Sequence, residues 1–275
     1  MGAGIAHAFV LAGSHVFVVE RDPATADAAA HRIRASLAQS VERGATARPP
    51  AELESAFESG TDSGVFAGCD LVVEAVPEDR ALKSEALTRA ERAMPAGAVL
   101  ATNTSSISID DLAAGLQRPW SFLGLHFFNP VPASALVEIV VGAATDPGAL
   151  EAARGWIEAL GKTPIVVRDS PGFASSRLGL ALGLEAIRML EEGVADAADI
   201  DAAMTLGYRH PLGPLRTTDL VGLDVRLGIA EELHATLGPR FEPPALLRRM
   251  VAEGKLGRKS GEGFYEWPPH ETERS

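Results

Sequence analysis

Two residues able to exchange a proton lie inside apolar runs, twelve positions apart: His126 within residues 122–128, and Glu138 within residues 136–141. Charge in an apolar strand is costly unless it is paired. If the two side chains meet, the carboxylate fixes the imidazole tautomer and raises its proton affinity, as a general acid/base near neutral pH requires. The plainer alternative is a core histidine satisfied elsewhere, with Glu138 at the surface. Upstream, the polar cluster Asn103, Thr104, Ser105 and Ser106 follows the apolar run 98–101. Ser105 and Asn129 can then supply neutral hydrogen bonds to a substrate oxygen.

The surrounding pattern says which elements must position these groups. Residues 1–11 have a helical apolar pattern stopped at Gly13, and 15–20 (HVFVVE) read as a buried strand ending in Glu20. Helix, strand and terminal acid form the back half of a dinucleotide-binding βαβ unit. An acid at that strand end accepts hydrogen bonds from ribose hydroxyls and repels a 2′-phosphate, which favours NAD over NADP. A helix over 24–43 follows, then a polar stretch, 45–68, with no assignable element. Further strands are predicted at 71–76, 98–101 and 163–168, with helices at 79–94 and 147–160. The polar cluster then sits at the carboxyl end of a strand, where ligands bind in open α/β sheets. The alternation predicts a doubly wound, Rossmann-type parallel sheet over residues 1–168. From 169 to 275 the pattern is helical. A long helix opens at Pro171 or Gly172 and runs to about 192, apolar on more than one face. Helices at 197–206, 224–237 and 244–253 complete an all-α second domain, and residues 210–214 read as a turn.

The bulk properties narrow the function. The 275 residues carry a net charge of −12, which disfavours nucleic acid and anionic membranes as partners. No run reaches transmembrane length and no signal peptide is visible. The single cysteine, Cys69, cannot form an internal disulfide, so a buried, inert thiol in a cytoplasmic protein is expected. No metal is expected. His7, His15, His31, His234 and His270 lack flanking patterns and read as structural or exposed, and His210 as a turn residue.

The words Asn103-Thr104-Ser105-Ser106, GLHFFNPVP (124–132) and Leu136-Val137-Glu138 resemble the 3-hydroxyacyl-CoA dehydrogenase family. So do Ser170-Pro171-Gly172-Phe173, His210-Pro211-Leu212-Gly213-Pro214 and GRKSGEGFY (257–265), so the resemblance runs in order over nearly the whole chain. It implies NAD-dependent oxidation of a (3S)-3-hydroxyacyl-CoA, most like the short-chain 3-hydroxybutyryl-CoA type. His126 would be the base and Glu138 its orienting partner. Ser105 would bind the 3-oxygen or thioester region, and Asn129 the nicotinamide side. Ala75, Val76 and Glu78 match a loop over the nicotinamide half of the cofactor. Lys83 matches a lysine that approaches cofactor and CoA. Lys259, after Arg258, matches one that reaches back to the cofactor region. The acyl-CoA is anionic and needs a local basic patch, and a homodimer through the helical domain is implied.

Two departures from the family stand out. Ser176 occupies a position where the family has asparagine, which helps hold the substrate carbonyl; loss of such a hydrogen bond costs about 1–3 kcal/mol in transition-state binding. Residues 1–6 (MGAGIA) match only the tail of the family's Gly-x-Gly-x-Met-Gly fingerprint, so Gly2 aligns with the third glycine. The expectation is that the first strand and first two glycines precede Met1, the start being an internal methionine or the chain a fragment. Two rival readings follow. One is a related dehydrogenase of a free hydroxy acid, of gulonate or carnitine type; the other is a catalytically impaired dinucleotide-fold binding protein.

Overall fold

The computed structural model describes residues 1–268, so His270 lies outside the described residues. The chain divides into two compact units, Met1–Asp169 and Ser170 onward.

The first unit opens with α1 (Gly2–Leu11) and β1 (Val16–Val19). In α2 (Pro23–Glu42), Pro23 occupies the first turn and the Asp22 carboxylate accepts the Thr25 N–H, which satisfies an otherwise orphaned donor. The polar stretch 45–68 contains α3 (Pro50–Ser55) and β2 (Phe57–Gly60). Then come β3 (Leu71–Glu74), α4 (Arg80–Ala93), β4 (Val99–Thr102), α5 (Ile109–Ala113), β5 (Phe122–Phe127), β6 (Leu136–Val141), α6 (Pro147–Ala159) and β7 (Thr163–Arg168).

β1 and β2 form one parallel ladder, and the second sheet has the order β3-β4-β5-β6-β7. The expectation of parallel strands throughout is corrected at one place: β5 and β6 are antiparallel. Only residues 128–135 join them, and a parallel return needs a crossover of about a dozen residues or more. The hairpin sets Leu125 opposite Ile139 and His126 opposite Glu138. Side chains alternate faces along a strand. Leu123, Leu125, Phe127, Val137 and Ile139 therefore share a core with Ala153 and Ile157 of α6, while His126 and Glu138 face the other way. On that other side Gly124 is required, because a Cβ there would lie 2.9 Å from both Ile109 Cδ1 and Val140 Cβ.

The second unit contains α7 (Ser175–Glu191), α8 (Ala197–Gly207), α9 (Pro214–Val221), α10 (Leu223–Leu237) and α11 (Ala245–Ala252). Its core joins Leu184, Ile187, Leu215, Leu223, Leu233 and Leu247. The long helix starts later than the apolar pattern suggests. Gly172 and Phe173 have φ of +72° and +49°, which no right-handed helix accommodates. The segment after the 210–214 turn is helical, with Pro214 at its first position. The GRKSGEGFY segment docks on α9. The buried Asp219 carboxylate accepts the Phe264 and Tyr265 N–H groups at 2.9 Å each and Trp267 Nε1–H at 2.8 Å. A Cβ on Gly263 would lie 2.2 Å from Asp219 Oδ1, and one on Gly257 2.2 Å from the Asp219 carbonyl oxygen. Among the described residues, no helix is long and apolar enough to cross a membrane.

Candidate active site

The cross-strand pair of β5 and β6 is the chemical centre of the first unit. His126 Nδ1 lies 2.7 Å from Glu138 Oε2. His126 is 7% exposed and Glu138 is fully buried. A carboxylate at that depth persists only with charge-assisted partners. With the proton on Nδ1, the imidazole would donate to this carboxylate and present Nε2 as an acceptor. The Phe128 ring packs on the imidazole, with centroids 4.6 Å apart.

Ser105 is carried on the loop after β4, and that loop is fastened at two points. Asn103 Oδ1 accepts the Phe127 N–H at 2.9 Å, one residue beyond His126. The second anchor is Glu78, on the loop after β3. Its Oε1 accepts the Ser105 N–H at 2.9 Å, the Ser106 N–H at 3.1 Å and the Thr104 hydroxyl at 2.5 Å. The Ser105 hydroxyl also lies 3.3 Å from this oxygen. Burial pushes the Glu78 carboxyl up, but the Thr104 hydroxyl, the Lys83 charge and the Ser105 N–H outweigh it and hold it below the usual carboxylate range.

Lys83 is 1% exposed. Its ammonium contacts both Glu74 oxygens at 3.0 and 3.1 Å, the Val76 carbonyl at 3.2 Å and Glu78 Oε2 at 3.3 Å. Glu74 also accepts the Thr102 hydroxyl at 2.6 Å and the Val76 N–H at 2.6 Å. Lys83 is thus the buried cation that pairs with two carboxylates, Glu74 at the end of β3 and Glu78 on the loop after it. The reading of the sequence did not single out Glu74 or Thr102, and it named Asn103 only as a member of the polar cluster, without a role of its own. A usable signal was present: an acid closing the apolar run LVVE, with a lysine nine residues on.

Three further residues lie at the edges of this unit. Gly2 begins α1, where a Cβ would sit 3.6 Å from Ala75 Cβ. That contact brings the amino end of α1 against the carboxyl end of β3. Backbone bonding in α1 starts with Gly4 and Ile5 N–H onto the Met1 carbonyl, so the Gly2 and Ala3 N–H groups are the donors a phosphate would take at a helix amino terminus. Glu20 follows β1, and its carboxylate makes no hydrogen bond among the described residues. Donors for a pyrophosphate and an acceptor for ribose hydroxyls are therefore both present, and they fit a dinucleotide.

Asn129 is exposed on the 128–135 loop. That loop is held from below by Lys162, whose ammonium contacts the Val131 and Ser134 carbonyls at 2.7 and 2.5 Å. Gly4 lets α1 approach it, since a Cβ there would lie 3.1 Å from Val131. Cys69 is half-buried rather than buried, and burial pushes its thiol up, away from the reactive thiolate. In the second unit, Ser176 lies in the first turn of α7, half-buried. Lys259 forms an ion pair with Asp224 within that unit.

Comparison with known proteins bears on this geometry. The family model for the 3-hydroxyacyl-CoA dehydrogenase NAD binding domain matches residues 1–170, and that for the C-terminal domain matches 172–267. A probable 3-hydroxybutyryl-CoA dehydrogenase of Deinococcus radiodurans is 41% identical over 268 residues, 97% of this chain and 96% of that protein. The crystal structure of Mycobacterium tuberculosis FadB2 superposes with a TM-score of 0.92 at 42% identity, covering 97% of this chain and 95% of that one. The (S)-3-hydroxybutyryl-CoA dehydrogenase PaaH1 of Ralstonia eutropha gives a TM-score of 0.92 at 37% identity, covering 98% and 96%.

Proposed function

Because the chain belongs to the 3-hydroxyacyl-CoA dehydrogenase family and is an NAD-dependent oxidoreductase, we propose that it oxidises (3S)-3-hydroxybutyryl-CoA to the 3-oxoacyl-CoA with His126 as base. The observation that carries this reading is the 2.7 Å His126–Glu138 contact at the buried hairpin.

NAD, when bound, accepts the hydride from C3. The chain's own residues handle the proton. The substrate O–H bond breaks toward His126 Nε2, and the C3 carbonyl forms as the hydride departs. Glu138 holds Nδ1–H and balances the imidazolium that results. Ser105, set by Asn103 and Glu78, orients the substrate oxygen. Asn129 faces the nicotinamide side, and Ser176 assists at the thioester carbonyl. Glu20 and Gly2 line the adenosine and pyrophosphate stretch, and Ala75 and Glu78 the nicotinamide half. Lys83 positions Glu78, and Lys259, paired with Asp224, is the lysine proposed for the cofactor region. A homodimer through the helical unit and a cytoplasmic setting complete the proposal.

A substrate panel tests it. Activity with 3-hydroxybutyryl-CoA should exceed that with free 3-hydroxybutyrate, gulonate or carnitine by at least about a thousandfold, because the CoA supplies remote binding energy used in the transition state. A free acid turned over as well as the thioester would overturn the assignment.

A further inference from the structure

The loop that carries Ser105 runs from Asn103 to Ser108, and its far end has an anchor of its own. The Ser108 hydroxyl donates to Asp169 Oδ2 at 2.6 Å, and the same oxygen accepts the Asp110 N–H at 2.9 Å. An O–H···O⁻ bond of that length is charge-assisted and stronger than a neutral one. Having given its proton to Asp169, the Ser108 oxygen accepts the Asp111 N–H at 3.1 Å as the amino-terminal cap of α5. Asp169 directly follows β7 and closes the first unit. Its own N–H is fixed on the Val141 carbonyl at 2.8 Å, at the end of β6.

The first turn of α5 is gripped a second time. Asp110 Oδ1 accepts the Ala143 N–H at 2.7 Å, and a Cβ on the adjoining Gly142 would lie 2.6 Å from that oxygen. The two carboxylates lace the start of α5 to the last residues of β6 and β7, and β6 is the strand that carries Glu138. Ser105 thus lies inside a loop tied at its start by Asn103, at its middle by Glu78 and at its end by Asp169. Ties at the start and middle alone leave the segment free to pivot about them. The third tie removes that freedom, and small misplacements of a positioned group are costly in rate.

We infer that Asp169 is a positioning residue for the oxidation: by holding Ser108 it sets the far end of the loop, and so the place of the Ser105 hydroxyl three residues earlier. The inference rests on the reading above in which Ser105 orients the substrate oxygen, and it adds a residue from a distant strand end.

Steady-state kinetics on the full chain with NAD and 3-hydroxybutyryl-CoA test this, with far-UV circular dichroism to verify folding. Asp169→Ala should lower kcat about tenfold and leave KM for NAD within about twofold. Ser108→Ala removes the same bond from its other side and should give a like fall, which keeps the test open should Asp169→Ala not fold. Asp169→Asn should recover most of the loss, because a single oxygen takes both donors and an amide oxygen can do the same. In a Ser105→Ala background, Asp169→Ala should cost no more than about a further twofold, since the group it positions is gone. A tenfold loss repeated in that background, or Asp169→Ala and Ser108→Ala both at the parent rate, would overturn the inference while leaving Ser105 its role. Ser105→Ala alone at the parent rate would overturn the reading beneath it.

Discussion

The Asn103 side chain accepts the backbone N–H of Phe127 at 2.9 Å, which ties the loop carrying Ser105 to the strand carrying His126. One hydrogen bond thus joins the group proposed to orient the substrate oxygen to the group proposed to take its proton. Asn103→Ala leaves a buried N–H unpaired, at a cost of about 1–3 kcal/mol in stability. It should also lower kcat about tenfold or more through misplacement of Ser105. Urea denaturation and steady-state kinetics check both. Full activity in a destabilised variant would show that the tie is structural only.

Acid stability should report on Glu78. Its carboxyl is held below its ordinary value by Thr104, Lys83 and Ser105 against the opposing effect of burial. The sign follows from linkage: a depressed carboxylate contributes stability that is present above the unfolded pKa and is lost as pH falls through the folded one. Glu78→Gln should therefore be less stable than the parent at pH 7, and the gap should close as pH falls below the ordinary value of 4.5. Urea midpoints from pH 7 down to 3 measure this. A gap of constant size across that range would exclude the carboxylate as its source.

Gly263→Ala would place a Cβ 2.2 Å from the Asp219 carboxylate, which anchors three donors of the carboxy-terminal segment. The expected loss is about 1–3 kcal/mol, the usual cost of forcing atoms into a filled site. Unchanged urea stability would mean that the segment is not held this way.

Ser176→Asn restores the amide that the family carries at this position. If the shorter serine forgoes a hydrogen bond to the substrate carbonyl, the variant should gain up to about tenfold in kcat/KM. An equal or lower value would show that this serine is not a weakened copy of the amide.

Legibility in the sequence depended on how far local pattern decided each element. β6 and β7 match the sequence runs residue for residue, because each is a short, β-branched run bounded by small, glycine or charged residues. β2 escaped notice because Phe57–Gly60 has two exposed positions and no apolar period; its strand character comes from pairing with β1. The antiparallel turn between β5 and β6 was written in a linker of eight residues, yet strand alternation elsewhere suggested parallel pairing. α9 was hidden because Pro-Leu-Gly-Pro reads as a turn, although its last proline suits the first position of a helix. At the site, His126 and Glu138 were legible as charge inside apolar strands. The Glu74–Lys83–Glu78 network was only partly legible: the acid closing LVVE and the lysine nine residues on signalled it, but their contact depends on how α4 packs back on β3.

Single-turnover hydride transfer, read as NADH absorbance after mixing enzyme and NAD with 3-hydroxybutyryl-CoA, tests the central claim most directly. His126→Ala should lose about 10³-fold or more in rate, and Glu138→Gln less than that, with NADH binding by fluorescence preserved in both. Hydride transfer at the parent rate in His126→Ala, with cofactor bound, would contradict the account.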